Sequence, residues 1–310
     1  MIAASATNKL CGVFRKHHEE VSAYLFLVPI FAFFLAIHYY PVFFALFVSF
    51  NAYDLLTGAF TFVGLDNYVE IFTDPIHWRA MVNTFVYVLG VVTGGTVIGL
   101  VVALFLDRMS RGSVLYRTIF FMPMVVSLVA ISQLWMWIYN RDIGILNFVF
   151  ERLGATTKIG WLTDPKYALG SIIVMTIWRA MGFSMVIFLA GLKAIPENFY
   201  EAARVDGASG FQVTRSITIP LLVPILLLAV VVNTMGSFKV FTQMFVMSSG
   251  VIHKGGPMNS TLTIVLQIYQ LSFLDFRLGV GQAFAFILAA IVLLLTYFQR
   301  KFFYRFDYSY

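Results

Sequence analysis

In "ENFYEAARVDGASGFQVTRSITIP" (197–220), Glu197, Glu201 and Asp206 share one short polar run between two long apolar ones. Pro196 is placed to open a helix, where its missing N–H costs nothing, and Glu197 falls in the first turn, where a negative charge is favoured. Nothing breaks the run before Gly207, which suits a helix of two to three turns. Ala202, Ala203 and Gly207 are small, so another backbone or a large partner side chain can approach closely, and Glu201 and Arg204, three apart, can pair along one face. Ser209 followed by Gln212 fits a capping box and starts a second short helix leading to Pro220. The pattern alone admits two readings: an interfacial hairpin that closes a bundle, or an element that something in water must hold.

Two cations raise a different chemistry. Arg179 in "TIWRAMGF" and Lys239 in "MGSFKVFTQMF" sit inside apolar runs with no acidic residue beside them. Ionisable groups at membrane depth are costly and mark functional paths. One reading puts either or both in a water-filled path, contacting hydroxyls or an anionic group of something that passes, with Phe238 and Phe241 offering apolar faces to a ring. Asn233, Ser237, Thr242 and Gln243 are further polar candidates in that run. The other reading is a structural pairing with a partner subunit or a snorkelled head group.

Catalytic, cofactor and metal sites are not expected. No Gly-x-x-x-x-Gly-Lys-[Ser/Thr] occurs, so phosphates cannot be cradled by that route. "GVVTGG" (90–95) is glycine-rich but lacks a lysine and reads as close helix packing. His17, His18, His38, His77 and His253 show no ligand spacing, and the single cysteine, Cys11, excludes an intrachain disulfide framework and a multi-cysteine metal site.

The elements that must position these residues follow from composition. The 310 residues are 60% hydrophobic and 12% charged, where soluble domains carry roughly a quarter charged. The formal charge of +6 comes from basic residues scattered among apolar runs, which form no stripe for nucleic acid. About 20 helical residues cross a hydrocarbon core, and six stretches are long enough: 22–50, 81–106, 114–138, 168–191, 218–247 and 279–299. Pro29 and Pro41 in the first, and Pro220 and Pro224 in the fifth, predict kinks or tilt. The first run lacks a cleavage pattern and is kept as a span. The fold expected is an all-α integral membrane protein with six transmembrane helices. It divides into a tail (1–21), one membrane domain (22–299) with the polar loop 192–216 between helices 4 and 5, and a second tail (300–310).

Lys and Arg set the orientation. Lys9, Arg15, Lys16, Arg108, Arg111, Arg117, Lys193, Arg204, Arg215, Arg300, Lys301 and Arg305 fall on one side, twelve in all, against seven on the other: Arg79, Arg141, Arg152, Lys158, Lys166, Lys254 and Arg277. Both termini and the 192–216 loop are therefore expected in the cytoplasm.

The order Glu201-Ala202-Ala203, Asp206-Gly207-Ala208, then Ile217 and Pro220, resembles the cytoplasmic signature loop of permease subunits in binding-protein-dependent, ATP-driven (ABC) importers. The departure is Ile219, where the family usually has Leu. "FVGLDNYVEIFTDPIHWRAMVNTF" (62–85), "YRTIFFMPMVVSLVAISQLWMWIYNRDIGILN" (116–147), "WRAMGFSMVIFLAGLKAIPENFYEAARVDGAS" (178–209) and "GGPMNSTLTIVLQIY" (255–269) resemble, in order, parts of sugar-importer permeases of the maltose and glycerol-phosphate type. The resemblance implies that the helix from Glu197 to Asp206 is a coupling helix seated in a cleft of a cytoplasmic ATPase. It implies that Gly255, Gly256, Pro257 and Asn259 lie near where a loaded binding protein docks. It also implies a second homologous permease, two ATPase subunits carrying ATP and Mg, an extracytoplasmic solute-binding protein, and a prokaryotic inner membrane. The cargo implied is a sugar or oligosaccharide, with glycerol 3-phosphate or another phosphorylated polyol as the alternative. A stand-alone secondary transporter would couple through membrane carboxylates or inverted repeats, and neither is visible.

Overall fold

The computed structural model describes residues 22–53, 57–109, 111–248 and 255–303. The tail 1–21 with Cys11, His17 and His18, the last residues from 304 on with Arg305, and His253 and Lys254 lie outside the described residues.

Long apolar runs form helices because only a helix satisfies its own backbone in lipid. The first, α1 (Ser22–Ser49), is followed by a hairpin of β1 (Asn51–Tyr53) and β2 (Phe60–Phe62), paired antiparallel with Ala52 opposite Thr61. Next come α2 (Asp66–Thr73) and α3 (Pro75–Asp107). After them stand α4 (Ser113–Val125), α5 (Leu128–Ile138), α6 (Ile145–Arg152) and α7 (Ala168–Ala194). The polar helix α8 (Glu197–Val205) precedes α9 (Gly210–Phe238), α10 (Thr242–Met247), α11 (Ile264–Leu274) and α12 (Leu278–Phe303). The small hairpin is the one departure from an all-helical chain among the described residues.

Among the described residues, five helices are long and apolar enough to cross a membrane: α1, α3, α7, α9 and α12. The expected third span is not straight. α4 and α5 meet at 99°, because Val126 is extended (ψ 144°) and Pro123 has already removed one backbone donor. The count is thus five, or six if the bent pair is one crossing. The expected fifth span also ends early: its helix stops at Phe238, and Lys239 to Phe241 separate it from α10. The stretch 248–278, expected as an outside loop, carries α11, whose Ile264 and Leu266 are fully buried. The predicted kinks take a specific form. π-helical turns at Leu35–Tyr39 and Thr214–Thr218 span the residues four before Pro41 and Pro220, where a proline ring would strike the carbonyl of a regular turn.

At the centre, α3 packs along α7. The "GVVTGG" glycines and Gly99 bring the two backbones together, with Gly95 against Ala180 and Gly99 against Ser184, as the sequence suggested. α1 is almost wholly exposed, burying only Val48 and Ser49 at its end. That end meets the start of α12: Asn67 Nδ2 donates to the carbonyls of Ser49 (2.9 Å) and Asn51 (3.1 Å), and Gly279 lies against the Asn51 carbonyl.

Buried asparagines also pin the other loops. Asn83 Nδ2 donates to the carbonyls of Asn259 (2.8 Å) and Leu262 (2.9 Å), tying the segment before α11 to α3. Removing a partner from buried carbonyls costs about 1–3 kcal/mol. Asn83→Ala is therefore expected to lower thermal stability in detergent by that amount, and to raise protease cleavage near 255–262. Unchanged cleavage would mean that the loop is held elsewhere.

Candidate functional site

α7 presents Thr176, Arg179, Ala180 and Phe183 at helical spacing, so all four share one face. That face, together with Tyr87 and Val91 of α3, Asn233, Gly236 and Ser237 of α9, and Met124 and Leu128 at the bend between α4 and α5, encloses a cavity of about 330 Å³. Lys239, Val240, Phe241, Thr242 and Gln243 complete it. Two interrupted spans therefore meet at one cavity. Non-helical backbone within a membrane protein is tolerated where it is buried in protein or lines a water-filled space, and here the break at Lys239–Phe241 lines the cavity itself, while Met124 and Leu128 on either side of the break at Val126–Ser127 reach it.

Of the sequence candidates, Arg179, Asn233, Ser237, Lys239, Phe241, Thr242 and Gln243 all line this cavity. Phe238 does not. It is 1% exposed, packs edge-on against Phe85 with centroids 5.6 Å apart, and lines a separate apolar cavity with Thr93 and Gln299. The reason is the helix end: Phe238 is the last residue of α9, and the chain turns after it, sending Lys239 and Phe241 to the other side.

The wall is ordered by a chain of hydrogen bonds. Gln243 Nε2 donates to Tyr87 Oη (2.7 Å), Tyr87 Oη donates to Thr176 Oγ1 (3.2 Å), and Thr176 Oγ1 donates to the Ile172 carbonyl (2.8 Å). Asn233 Nδ2 donates to Ser184 Oγ (3.0 Å). Arg179 Nε is buried without a hydrogen-bond partner, while Lys239 is exposed. Tyr87, Thr176 and Phe183 were not singled out from the sequence. Thr176 had a signal, three residues before Arg179 on the same face; Tyr87 had none, since its span is apolar all round.

The polar loop forms as expected in outline. α8 is preceded by Pro196, carries Glu197 in its first turn, and ends before Gly207, whose φ is +73°. Ser209 and Gln212 make the reciprocal capping box. Arg204 differs from expectation: it pairs with Glu197 at 3.7 Å rather than with Glu201. Glu201, Ala202, Asp206 and Gly207 are exposed and Ala203 is buried, with Val205 and Phe211 standing out into solvent. Ala202, Ala203 and Asp206 line a shallow cavity with Phe199 and Ile217.

This loop is tied to the span ends beside it. Lys193 Nζ lies 3.0 Å from Asp107 Oδ1, and Arg108 donates to Thr214 Oγ1 at 2.8 Å. Both flanks of α8 are thereby fastened to the end of α3, the helix that carries Tyr87.

In the "GGPMN" segment, Gly255 is buried and Gly256 and Pro257 are half-buried. Thr261 N–H closes the turn onto the Gly255 carbonyl at 2.8 Å. The exposed tip is Met258 and Asn259, both at positive φ, and Gly255 lies beneath it in the turn.

His77 has neighbours that the sequence reading did not connect. Donor atoms of Glu70, Asp74 and His77 lie within 4.8 Å of one another. Each already has protein contacts: Glu70 pairs with Arg277, Asp74 caps α3 through Ile76 N–H, and His77 Nδ1 lies 3.4 Å from Gln267.

Comparison with known proteins places these features in context. Residues 95–307 match the family described as binding-protein-dependent transport system inner membrane component. The chain is 37% identical over 280 residues to the probable ABC transporter permease protein YesP of Bacillus subtilis, covering 90% of this chain and 89% of that one. It is 35% identical over 263 residues to the lactose transport system permease protein LacF of Rhizobium radiobacter, covering 83% and 85%. Among solved structures, a bacterial alginate ABC transporter in complex with an alginate pentasaccharide-bound periplasmic protein matches with a TM-score of 0.80 at 22% identity, covering 94% of this chain and 97% of that one. That similarity speaks to the fold.

Proposed function

Because the chain belongs to the family of binding-protein-dependent transport system inner membrane components, we propose that it is the membrane-spanning permease subunit of an ABC importer that brings a sugar or oligosaccharide into the cell. The observation that carries the reading is that the family match, 95–307, takes in the exposed polar loop and every residue of the cavity lining except Tyr87 and Val91. α8, with Glu197, Glu201, Ala202, Ala203, Asp206 and Gly207, is the coupling element that docks on a cytoplasmic ATPase. ATP and Mg are held by two such partner subunits, and this chain hydrolyses nothing. A second, homologous permease completes the path, and a solute-binding protein delivers cargo to the opposite face, where Pro257 and Asn259 lie.

Six crossings, with α4 and α5 as one, leave both termini on the cytoplasmic side of a prokaryotic inner membrane. The contact of the end of α1 with the start of α12 supports this, since helices so joined run in opposite directions. Residues 22–299 act as one membrane domain between two cytoplasmic tails. Closure of the ATPase pair on ATP moves the docked helix. The Lys193–Asp107 and Arg108–Thr214 contacts carry that movement to α3, and the spans exchange inward-open for outward-open states.

The test is co-purification of the tagged chain with its neighbours, then reconstitution. Stimulation of ATP hydrolysis by a sugar-loaded binding protein, with uptake of that sugar, is expected. A chain that purifies without any ATPase and still moves solute down a gradient would sink the reading.

A further inference from the structure

The cavity has an unbalanced charge. Its lining includes Arg179 and Lys239 but no Asp or Glu, and among the described residues neither cation has an acidic side chain within ion-pair distance. A charge taken from water into a protein interior costs several kcal/mol unless it is paired, which bears on half-buried Arg179, and exposed Lys239 adds a second positive charge to the same lining. Arg179 is half-buried and its Nε has no hydrogen-bond acceptor. Arg179 stands on the same α7 face as Thr176, whose hydroxyl is already engaged by Tyr87 and Ile172. Lys239 stands at the break after α9, where its exposed ammonium can reach into the space.

What such a wall lacks is an oxyanion. Arginine presents a planar fork that matches a carboxylate in bidentate fashion, and lysine supplies a point charge that follows the ligand. The remaining surface fits a sugar: Phe183 and Phe241 are apolar, and Asn233, Ser237 and Gln243 are polar neutral groups. The volume of about 330 Å³ is at the lower end of the roughly 300–1,000 Å³ typical of small-molecule sites, enough for one or two rings at a time.

We propose that the cargo is an acidic saccharide, and that its carboxylate passes between Arg179 and Lys239 in this cavity. The proposal rests on the importer reading above and narrows it. The described residues of this chain offer neither cation an acidic partner, so an uncharged sugar of the same shape gains no ion pair there and crosses more slowly.

The experiment uses the complete transporter, with its partner permease, ATPases and binding protein, in sealed vesicles. The probes are an oligouronate of two to four residues and its carboxyl-reduced counterpart, which keeps the ring and replaces only the charge. Wild type is expected to take up the uronate about tenfold faster or more, the scale of charge-assisted hydrogen bonds. Arg179→Gln and Lys239→Gln are each expected to raise the uronate KM by a similar factor and to narrow the preference over the reduced sugar. Lys239→Arg, which keeps the charge, should retain it. Equal or faster ATP-driven uptake of the reduced sugar by wild type would overturn the acidic cargo while leaving the importer reading intact. Unchanged uronate KM in both glutamine variants would overturn the site. ATP-driven uptake of no saccharide at all would count against the importer reading itself. If a glutamine variant fails to assemble, the wild-type comparison and Lys239→Arg still decide the question.

Discussion

Gly182→Val is expected to abolish recovery of folded protein, and Gly182→Ala to lower its thermal stability sharply. A Cβ at Gly182 would stand 2.2 Å from the Phe120 carbonyl oxygen and 3.2 Å from Phe121 Cα. Both are backbone atoms of α4, so no side-chain rotation relieves the clash, and α7 must move away from α4. Overpacking of this kind costs about 1–3 kcal/mol for a single methyl, and a branched side chain extends it. The same contact holds the bent pair against the cavity wall, so survivors should also lose transport. Gly170 is the internal control. It lies on the same helix with nothing within 4 Å of a built Cβ, so Gly170→Ala should be neutral or stabilise by about 0.5–1 kcal/mol through helix propensity. Thermal unfolding of the detergent-solubilised chain measures both. If Gly182→Ala unfolds no earlier than wild type, α4 and α7 are not held at this distance.

The second large effect is on coupling. In the reconstituted importer, Glu201→Arg and Gly207→Val are each expected to cut uptake by roughly 5–150-fold, the span of a 1–3 kcal/mol coupling, while the membrane subunits still purify. Glu201 is exposed on α8 and makes no ion pair with Arg204, so its reversal leaves the internal structure of the loop alone and strikes whatever docks there. Gly207 holds φ +73° with open space around it. A side chain there meets no neighbour, and its penalty is the left-handed backbone alone, about 1–2 kcal/mol for most residues. Asn visits that region more readily, so Gly207→Asn should retain more uptake than Gly207→Val. The readout is ATP hydrolysis with and without loaded binding protein, beside uptake. Full stimulation in Glu201→Arg would remove this helix from the coupling path.

Much of this was legible in the chain. Span length and hydropathy are local properties, so the apolar runs and the polar interval between them could be read directly. The short helix of the polar loop was equally open to reading, because Pro196, Gly207 and the Ser209–Gln212 box act within one turn of themselves. Arg179 and Lys239 stood out because a charge in an apolar run has few ordinary uses. The bend at Val126–Ser127 and the end of α9 at Phe238 were not legible: each stretch is apolar throughout, and hydropathy is the same whether the helix runs on or turns. Helix rotation was hidden for a related reason. A span that is apolar all round has no polar face to point it, so nothing in the sequence could send Phe238 to one cavity and Phe241 to the other, or bring Tyr87 to Gln243. Sequence alone settled that the chain belongs in a membrane and carries a short polar helix between two long apolar runs. Tertiary packing, through close glycine contacts and two interrupted helices, decided where the cavity lies and which side chains line it.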